Sequence, residues 1–331
     1  MIWKIFAQPR YRLITLPTPL EKLRNLSKEL NIDLYVKRDD VMELALGGNK
    51  VRKLEFILGD ALSQRCDVLI TRGSFYSNHV RLTAAAARKA GLDVFLVLTP
   101  PKSHGLQGNV LLDELLGAKI LHAEDREGAD DLMRKLAEEL KKKGRRPYVI
   151  PGGGASPVGV LGYAAAALEI LQQLYAANVK PKYIIHATGS GTTQAGLVLG
   201  MKLLGVDDVE VVGISISEKA GEVKERVAKL VNEGAKLLKT NVEVASEDIV
   251  VLDSYLLGRY AEVTKDVVEV MKYVARKEGL ILDPVYTAKA MYGLIDLVRN
   301  NYVKENTAVV FVHTGGTPIL FQQNTLIEKY L

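Results

Sequence analysis

The sequence is short of the residues that build special-purpose sites. It has one cysteine, one tryptophan and only 6% aromatic residues in 331. A lone cysteine, Cys66, can close no internal disulfide and cannot furnish a cysteine-rich zinc site. The five histidines (His79, His104, His122, His186 and His313) are scattered without a His-x-x-x-His pair, so no metal is expected. No apolar run approaches the roughly 18–20 residues that a membrane helix needs. The first twelve residues carry Lys4, Arg10 and Arg12 and contain no apolar signal-peptide core. The expectation is a cytoplasmic protein that does not contact the membrane.

What is present fits an ordinary globular chain: 48% hydrophobic and 25% charged residues. At roughly 100–200 residues per domain, the length suggests two domains. The net charge is +5, and the densest basic run is Lys141-Lys142-Lys143-Gly144-Arg145-Arg146. Cations suit a helix C-terminus and Gly144 suits its stop. No aromatics are interleaved, so nucleic acid is not an expected partner.

Short apolar runs alternate with helical patterns. Strands are expected at Leu34–Lys37, Val68–Thr71, Val94–Leu98, Tyr148–Ile150, Tyr183–Ala187, Val209–Ser217, Ile249–Leu252 and Ala308–His313. Several are continuous Val/Ile/Leu runs, the pattern of strands buried on both faces. Helices are expected at Lys50–Leu62, Asn78–Ala90, Ala129–Lys143, Val158–Ala176, Thr192–Leu204, Glu222–Leu238, Val263–Glu278 and Thr287–Arg299. The alternation predicts an α/β fold of open, twisted, mainly parallel sheets flanked by helices. The eight strands are too many for one compact sheet. Residues 46–150 are expected to form a smaller inserted domain, and 1–45 with 151–331 a larger one.

Six segments could carry chemistry. In Leu46-Gly47-Gly48-Asn49-Lys50-Val51-Arg52-Lys53-Leu54, a turn opens a helix at Lys50. The positive end of the helix dipole depresses an amine's pKa there, as a Schiff-base lysine requires. A surface lysine after a turn is the plainer alternative. Gly73-Ser74-Phe75-Tyr76-Ser77-Asn78-His79 follows a strand and opens a helix, a place where backbone N–H groups can hold a carboxylate. Ser77 or Asn78 also suits a helix cap.

His186-Ala187-Thr188-Gly189-Ser190-Gly191-Thr192-Thr193-Gln194-Ala195-Gly196 runs from a strand through a Gly/Ser/Thr loop into a helix, which favours phosphate binding. Its spacing is Gly-x-Gly-x-x-x-x-Gly, and the next strand lacks an acidic residue for a ribose, which argues against a dinucleotide-dependent oxidoreductase. No Lys-Ser/Thr follows the glycines as in a nucleotide P-loop. Pro151-Gly152-Gly153-Gly154-Ala155-Ser156 reads as a hinge or a wall of the site. Leu282-Asp283-Pro284-Val285-Tyr286-Thr287-Ala288-Lys289 and His313-Thr314-Gly315-Gly316-Thr317-Pro318 place hydroxyls beyond apolar runs.

Together, from Lys37-Arg38-Asp39-Asp40 to Thr317, these segments resemble the 1-aminocyclopropane-1-carboxylate (ACC) deaminase and D-cysteine desulfhydrase family. That family belongs to the tryptophan-synthase-β-like enzymes that use pyridoxal 5'-phosphate. The resemblance implies that Lys50 carries the cofactor, Asn78 lies against its ring, and Lys53 with Gly189, Ser190, Gly191, Thr192 and Thr193 holds its phosphate. It further implies that Ser77 binds the substrate carboxylate and shares in proton transfer, with Tyr286 and Tyr260 near the substrate. The residues flanking Tyr260 differ from the family pattern. The implied partners are a small amino-acid substrate and a second copy of the chain in a homodimer.

Two positions resemble the desulfhydrase branch. Thr287 stands where the deaminases have Glu, and Thr314 where they have Leu. A carboxylate at the pyridine nitrogen keeps it protonated, whereas a threonine hydroxyl only hydrogen-bonds. The weaker electron sink implies α,β-elimination of D-cysteine to pyruvate, sulfide and ammonia, with D-serine and β-chloro-D-alanine as further candidates. The alternatives are ACC deamination, or elimination from L-cysteine or serine. A cofactor-holding binding protein without turnover is disfavoured by Lys50, Ser77 and the two tyrosines.

Overall fold

The computed structural model describes residues 1–99 and 106–331. His104 lies outside these. Among the described residues, ten strands form two sheets: β1 (Leu20–Lys22), β2 (Asp33–Arg38), β3 (Val68–Ser74), β4 (Asp93–Thr99), β5 (Lys119–His122), β6 (Pro147–Ile150), β7 (Tyr183–Thr188), β8 (Glu210–Ser215), β9 (Val250–Leu252) and β10 (Ala308–His313). Six strands run in the order β1-β2-β10-β7-β8-β9 and four in the order β5-β4-β3-β6. Every pairing is parallel except β1 with β2. The central strands are buried nearly throughout, as their unbroken apolar runs require.

Twelve helices flank the sheets: α1 (Arg24–Leu30), α2 (Lys50–Ser63), α3 (Asn78–Lys89), α4 (Gly108–Leu115), α5 (Arg126–Lys142), α6 (Pro157–Ala176), α7 (Thr192–Leu204), α8 (Ala220–Leu237), α9 (Lys265–Glu278), α10 (Thr287–Arg299), α11 (Thr317–Gln322) and α12 (Asn324–Glu328). The expected α/β architecture is present. The sequence reading did not anticipate β1, β5, α1, α4, α11 and α12. Expected boundaries moved where side chains cap them. The strand expected to reach Ser217 stops at Ser215, whose hydroxyl donates to the Glu218 carbonyl and accepts from its N–H. The helix expected from Ala129 starts at Arg126, because Asp125 caps it by accepting from the Gly128 N–H. In the basic run, Arg145 is an inter-strand clamp that pairs with Asp67 and Asp93.

The helix that matters most to the site is α2. Its hydrophobic positions join a core with β3, β4 and α3. Its polar residues Arg52, Lys53 and Glu55 are nevertheless buried too. Arg52 makes a two-pronged contact with Asp39, at 2.8 Å through both Nε and Nη2. It also reaches both oxygens of Glu169 on α6, at 2.9 and 3.1 Å. Thr18 and Tyr163 donate their hydroxyls to Asp39, and Lys37 of β2 pairs with Glu169 at 2.6 Å. Glu55 accepts from Arg10 and from the Leu13 N–H. Buried charges are tolerated only when fully paired, and those of Arg52 and Glu55 are. The cluster joins α2 to β2 and α6, and so to the six-stranded sheet.

Arg52→Ala would strand Asp39 in the interior, and the expected loss is about 3–5 kcal/mol of unfolding free energy in denaturant titration. Glu169 adds a pH signature. Burial opposes its charge, but Arg52 and Lys37 outweigh burial and hold the carboxyl at about 2, against an ordinary 4.5. Its contribution is therefore complete above 4.5 and is lost as pH falls towards 2. Glu169→Gln should flatten stability across that window. An unchanged slope refutes the assignment.

Candidate active site

The carboxyl ends of the two sheets meet at a cavity of about 370 Å³. Its wall takes residues from the segments after β3, β6, β7, β8 and β10, and from the start of α2. Open α/β sheets bind ligands at such strand ends, and the size suits a small cofactor with a substrate.

Lys50 is the first residue of α2. Its turn depends on two glycines. Gly47 has φ +63°, and a Cβ there would lie 2.5 Å from the Asp40 carbonyl. Gly48 has φ +121° and packs against Gly315, where a Cβ would sit 2.8 Å from the Gly48 Cα. The Asn49 N–H donates to the Thr314 carbonyl at 3.1 Å, and the Asn49 side chain donates to Thr193 Oγ1 at 2.8 Å. The lysine turn, the end of β10 and the start of α7 are thus tied together. Burial, with Arg81 adding to it against the opposing charge of Asp283, lowers the Lys50 amine to about 8. Its Nζ lies 5.4 Å from the centroid of the Tyr286 ring.

The Tyr286 and Tyr260 hydroxyls are 2.6 Å apart, and Tyr260 continues to Ser74 Oγ at 3.3 Å. Burial raises the pKa of both phenols, so both keep their protons. Ser77 caps α3 by accepting from the Val80 N–H at 3.3 Å and also faces the cavity. The capping and binding readings of Ser77 are therefore compatible.

At the other end, Gly189, Ser190, Gly191 and Thr193 line the cavity. Gly191 leaves α7 without a side-chain cap, so the free N–H groups of its first turn suit an anion. Lys53 lies beside this loop, its Nζ 3.5 Å from the Gly153 carbonyl. Burial, then the charge on Lys50, pushes its pKa well down. A phosphate would supply the missing counter-charge. Gly152, Gly153 and Ala155 form the wall expected of the glycine cluster. The residues present therefore fit a phosphorylated carbonyl cofactor: an amine at one end and an uncapped helix with a lysine at the other.

Three expected site residues do not line the cavity. Thr192 is buried, its hydroxyl 3.3 Å from that of Ser190. Asn78 is buried, its Oδ1 accepting from Asn109 at 3.1 Å. Thr287 is turned inwards: its hydroxyl donates to Asp283 Oδ1 at 2.7 Å and accepts from the Asp283 N–H at 2.8 Å. Asp283 also accepts from the N–H groups of Val285, Tyr286 and Thr287. Thr314 does line the cavity. Asn49, Ser74, His79, Arg72 and Arg226 are cavity residues that the sequence reading did not select. The first three lie inside segments already singled out. Arg226 sits within α8 and donates to the Gly189 carbonyl at 2.8 Å, a role that no local pattern signals.

Residues 11–315 match the family described as pyridoxal-phosphate dependent enzymes. A protein of Pyrococcus horikoshii described as a putative 1-aminocyclopropane-1-carboxylate deaminase is 45% identical over 95% of this chain and 94% of its own length. A D-cysteine desulfhydrase of Salmonella choleraesuis is 42% identical over 95% of each chain. A crystal structure described as an ACC deaminase homologue superposes with a TM-score of 0.92 at 42% identity, covering 100% of this chain and 99% of the other. The chain belongs to the pyridoxal-phosphate dependent enzyme family, with the tryptophan-synthase-β-like fold, and its cofactor is pyridoxal 5'-phosphate.

An amine attacks an aldehyde only when unprotonated, so a pKa of about 8 brings the reactive form of Lys50 into the neutral-to-mildly-alkaline range. The rate at which cofactor-free protein develops the lysine-bound cofactor's absorption band should rise with its midpoint at about pH 8 and level off roughly one unit higher. A rate still climbing towards the ordinary lysine value of 10.5 would contradict the lowered pKa.

Proposed function

We propose that this enzyme carries out α,β-elimination of D-cysteine to pyruvate, sulfide and ammonia, accepting D-serine and β-chloro-D-alanine as further substrates. The observation that carries the reading is that, among the described residues, no free carboxylate stands with Thr314 in the cavity lining. Asp283 is saturated by its own backbone donors and Thr287. Glu218, on the cavity wall, is held by Arg226 and Arg126. A ring nitrogen facing a hydroxyl makes a weaker electron sink than one facing a carboxylate. Such a sink suits removal of an α-proton and expulsion of a good leaving group better than opening of a cyclopropane. Thr287 contributes by occupying Asp283 rather than by meeting the ring. Both names occur among the relatives, D-cysteine desulfhydrase and putative ACC deaminase, so the choice between them rests on the cavity.

When bound, the cofactor supplies the electron sink that stabilises the carbanion. The protein supplies the rest. Lys50 would carry the cofactor, and its Nζ is placed to take the substrate α-proton. Ser77 and the N–H groups around it hold the substrate carboxylate. Lys53 and the Gly189–Thr193 loop would hold the phosphate, and Asn78, bonded to Asn109, would steady the wall against which the cofactor ring lies. Tyr286, kept protonated by burial and bonded to Tyr260, donates a proton from its hydroxyl to the departing sulfur. The division into 46–150 and 1–45 with 151–331, and a homodimeric state, belong to the same proposal.

Keto-acid release should show its highest kcat/KM with D-cysteine when D-cysteine, L-cysteine, D-serine and ACC are compared. Turnover of ACC alone, to its keto acid, would overturn the reading. Tyr286→Phe should lower kcat by roughly 10²–10⁴-fold, the range for loss of a proton donor, with a much smaller change in KM. An unaltered kcat excludes Tyr286 as that donor.

A further inference from the structure

His79 is buried at the start of α3 and lines the cavity. Its Nε2 lies 2.9 Å from Thr71 Oγ1. The same hydroxyl lies 2.9 Å from the Ile150 carbonyl oxygen. A carbonyl oxygen can only accept, so the single hydroxyl proton of Thr71 goes to Ile150. The imidazole must therefore supply the proton of the other bond, from Nε2. Burial, then the charges of Lys50, Lys53 and Arg72, hold the ring's pKa well below its ordinary value, so the ring is neutral. With Nε2 protonated in a neutral ring, Nδ1 is a bare lone pair.

That lone pair is buried and, among the described residues, meets no hydrogen-bond partner. Native interiors rarely leave such an atom idle without a functional reason. Its neighbour is Lys53. A Cβ built on Gly154 would lie 3.6 Å from His79 Cε1 and 3.7 Å from Lys53 Cδ, so the ring and the lysine stem flank the same spot. The Lys53 ammonium has three donors. Among the described residues its hydrogen-bond partner is the Gly153 carbonyl, at a long 3.5 Å.

We infer that His79 is a positioning residue for the cofactor phosphate, accepting a hydrogen bond at Nδ1 from Lys53 Nζ and so aiming the lysine's remaining donors at the Gly189–Thr193 loop. Thr71 and the Ile150 carbonyl are the means by which β3 and β6 fix the tautomer. The arrangement works only in this order: a proton on Nδ1 would turn acceptor into donor and push the ammonium away. The inference rests on the cofactor alone, so an error in the choice of substrate leaves it standing.

Two substitutions separate the ring's two roles. The side-chain amide of His79→Gln reaches the Nε2 position and retains the Thr71 contact, but it leaves Nδ1 without a replacement. His79→Asn places its Oδ1 near Nδ1 and gives up Thr71. Cofactor-free protein of each kind is titrated with pyridoxal 5'-phosphate in the absence of substrate, and the bound phosphate is followed by phosphorus NMR. His79→Gln should weaken cofactor binding by roughly tenfold or more, as loss of one charge-assisted hydrogen bond predicts, and should move the phosphate resonance. His79→Asn should bind more tightly than His79→Gln and keep the resonance near its original place. Cofactor binding by His79→Gln as tight as that of the parent overturns the inference, as does equal weakening in both variants. Nitrogen NMR of the histidine-labelled parent needs no variant. It should show Nδ1 unprotonated before cofactor is added, and a proton found there refutes the inference.

Discussion

The paired charges around Arg52 set the geometry on which the site depends. Helix α2 packs its apolar positions with the four-stranded sheet, yet its arginine is held by Asp39 after β2 and by Glu169 on α6. The helix therefore has little freedom to slide or rotate against either sheet. Lys50 stands two residues before Arg52, so the reactive amine inherits that rigidity. The cost of burying these charges is offset only because each is met by an opposite charge and by hydroxyl donors, a condition that specifies one arrangement.

The cavity applies the opposite rule. Lys50 and Lys53 are buried without the close carboxylates that accompany Arg52, and burial lowers the pKa of both. Acidic groups nearby are already committed: Asp283 to backbone N–H groups, Glu218 to arginines. The result is a site with cationic capacity and no internal anion to satisfy it. An anionic cofactor supplies that charge, and a nucleophilic amine is available near neutral pH.

The sheet interiors and the segments that line the cavity were legible because both obey local rules. Strands buried on both faces read as apolar runs, and glycine-rich connections into helices mark where a backbone wraps a ligand. Strands β1 and β5 escaped because they lie at sheet edges, are three and four residues long, and carry exposed charged residues. Thr287 was recognisable as a substitution, but not in its orientation. The oxygens of Asp283, four residues earlier, capture its hydroxyl, and that capture depends on the turn into α10. Asn49 and His79 lay inside segments already singled out. Their importance comes from partners 144 and 8 residues away, respectively, that only the folded chain brings close. Arg226 had no signal of any kind, since one more arginine on an amphipathic helix is unremarkable in sequence.

The contact between Gly48 and Gly315 also bears on biosynthesis. The turn that presents Lys50 leans on Gly315 and hydrogen-bonds to the Thr314 carbonyl, and β10 lies between β2 and β7. Gly315 is translated 265 residues after Lys50 (315 − 50). A nascent chain lacking β10 has a six-stranded sheet split in two and a lysine turn with nothing behind it. The cofactor site therefore cannot be completed when its lysine leaves the ribosome; that step waits until β10 and Gly315 have followed.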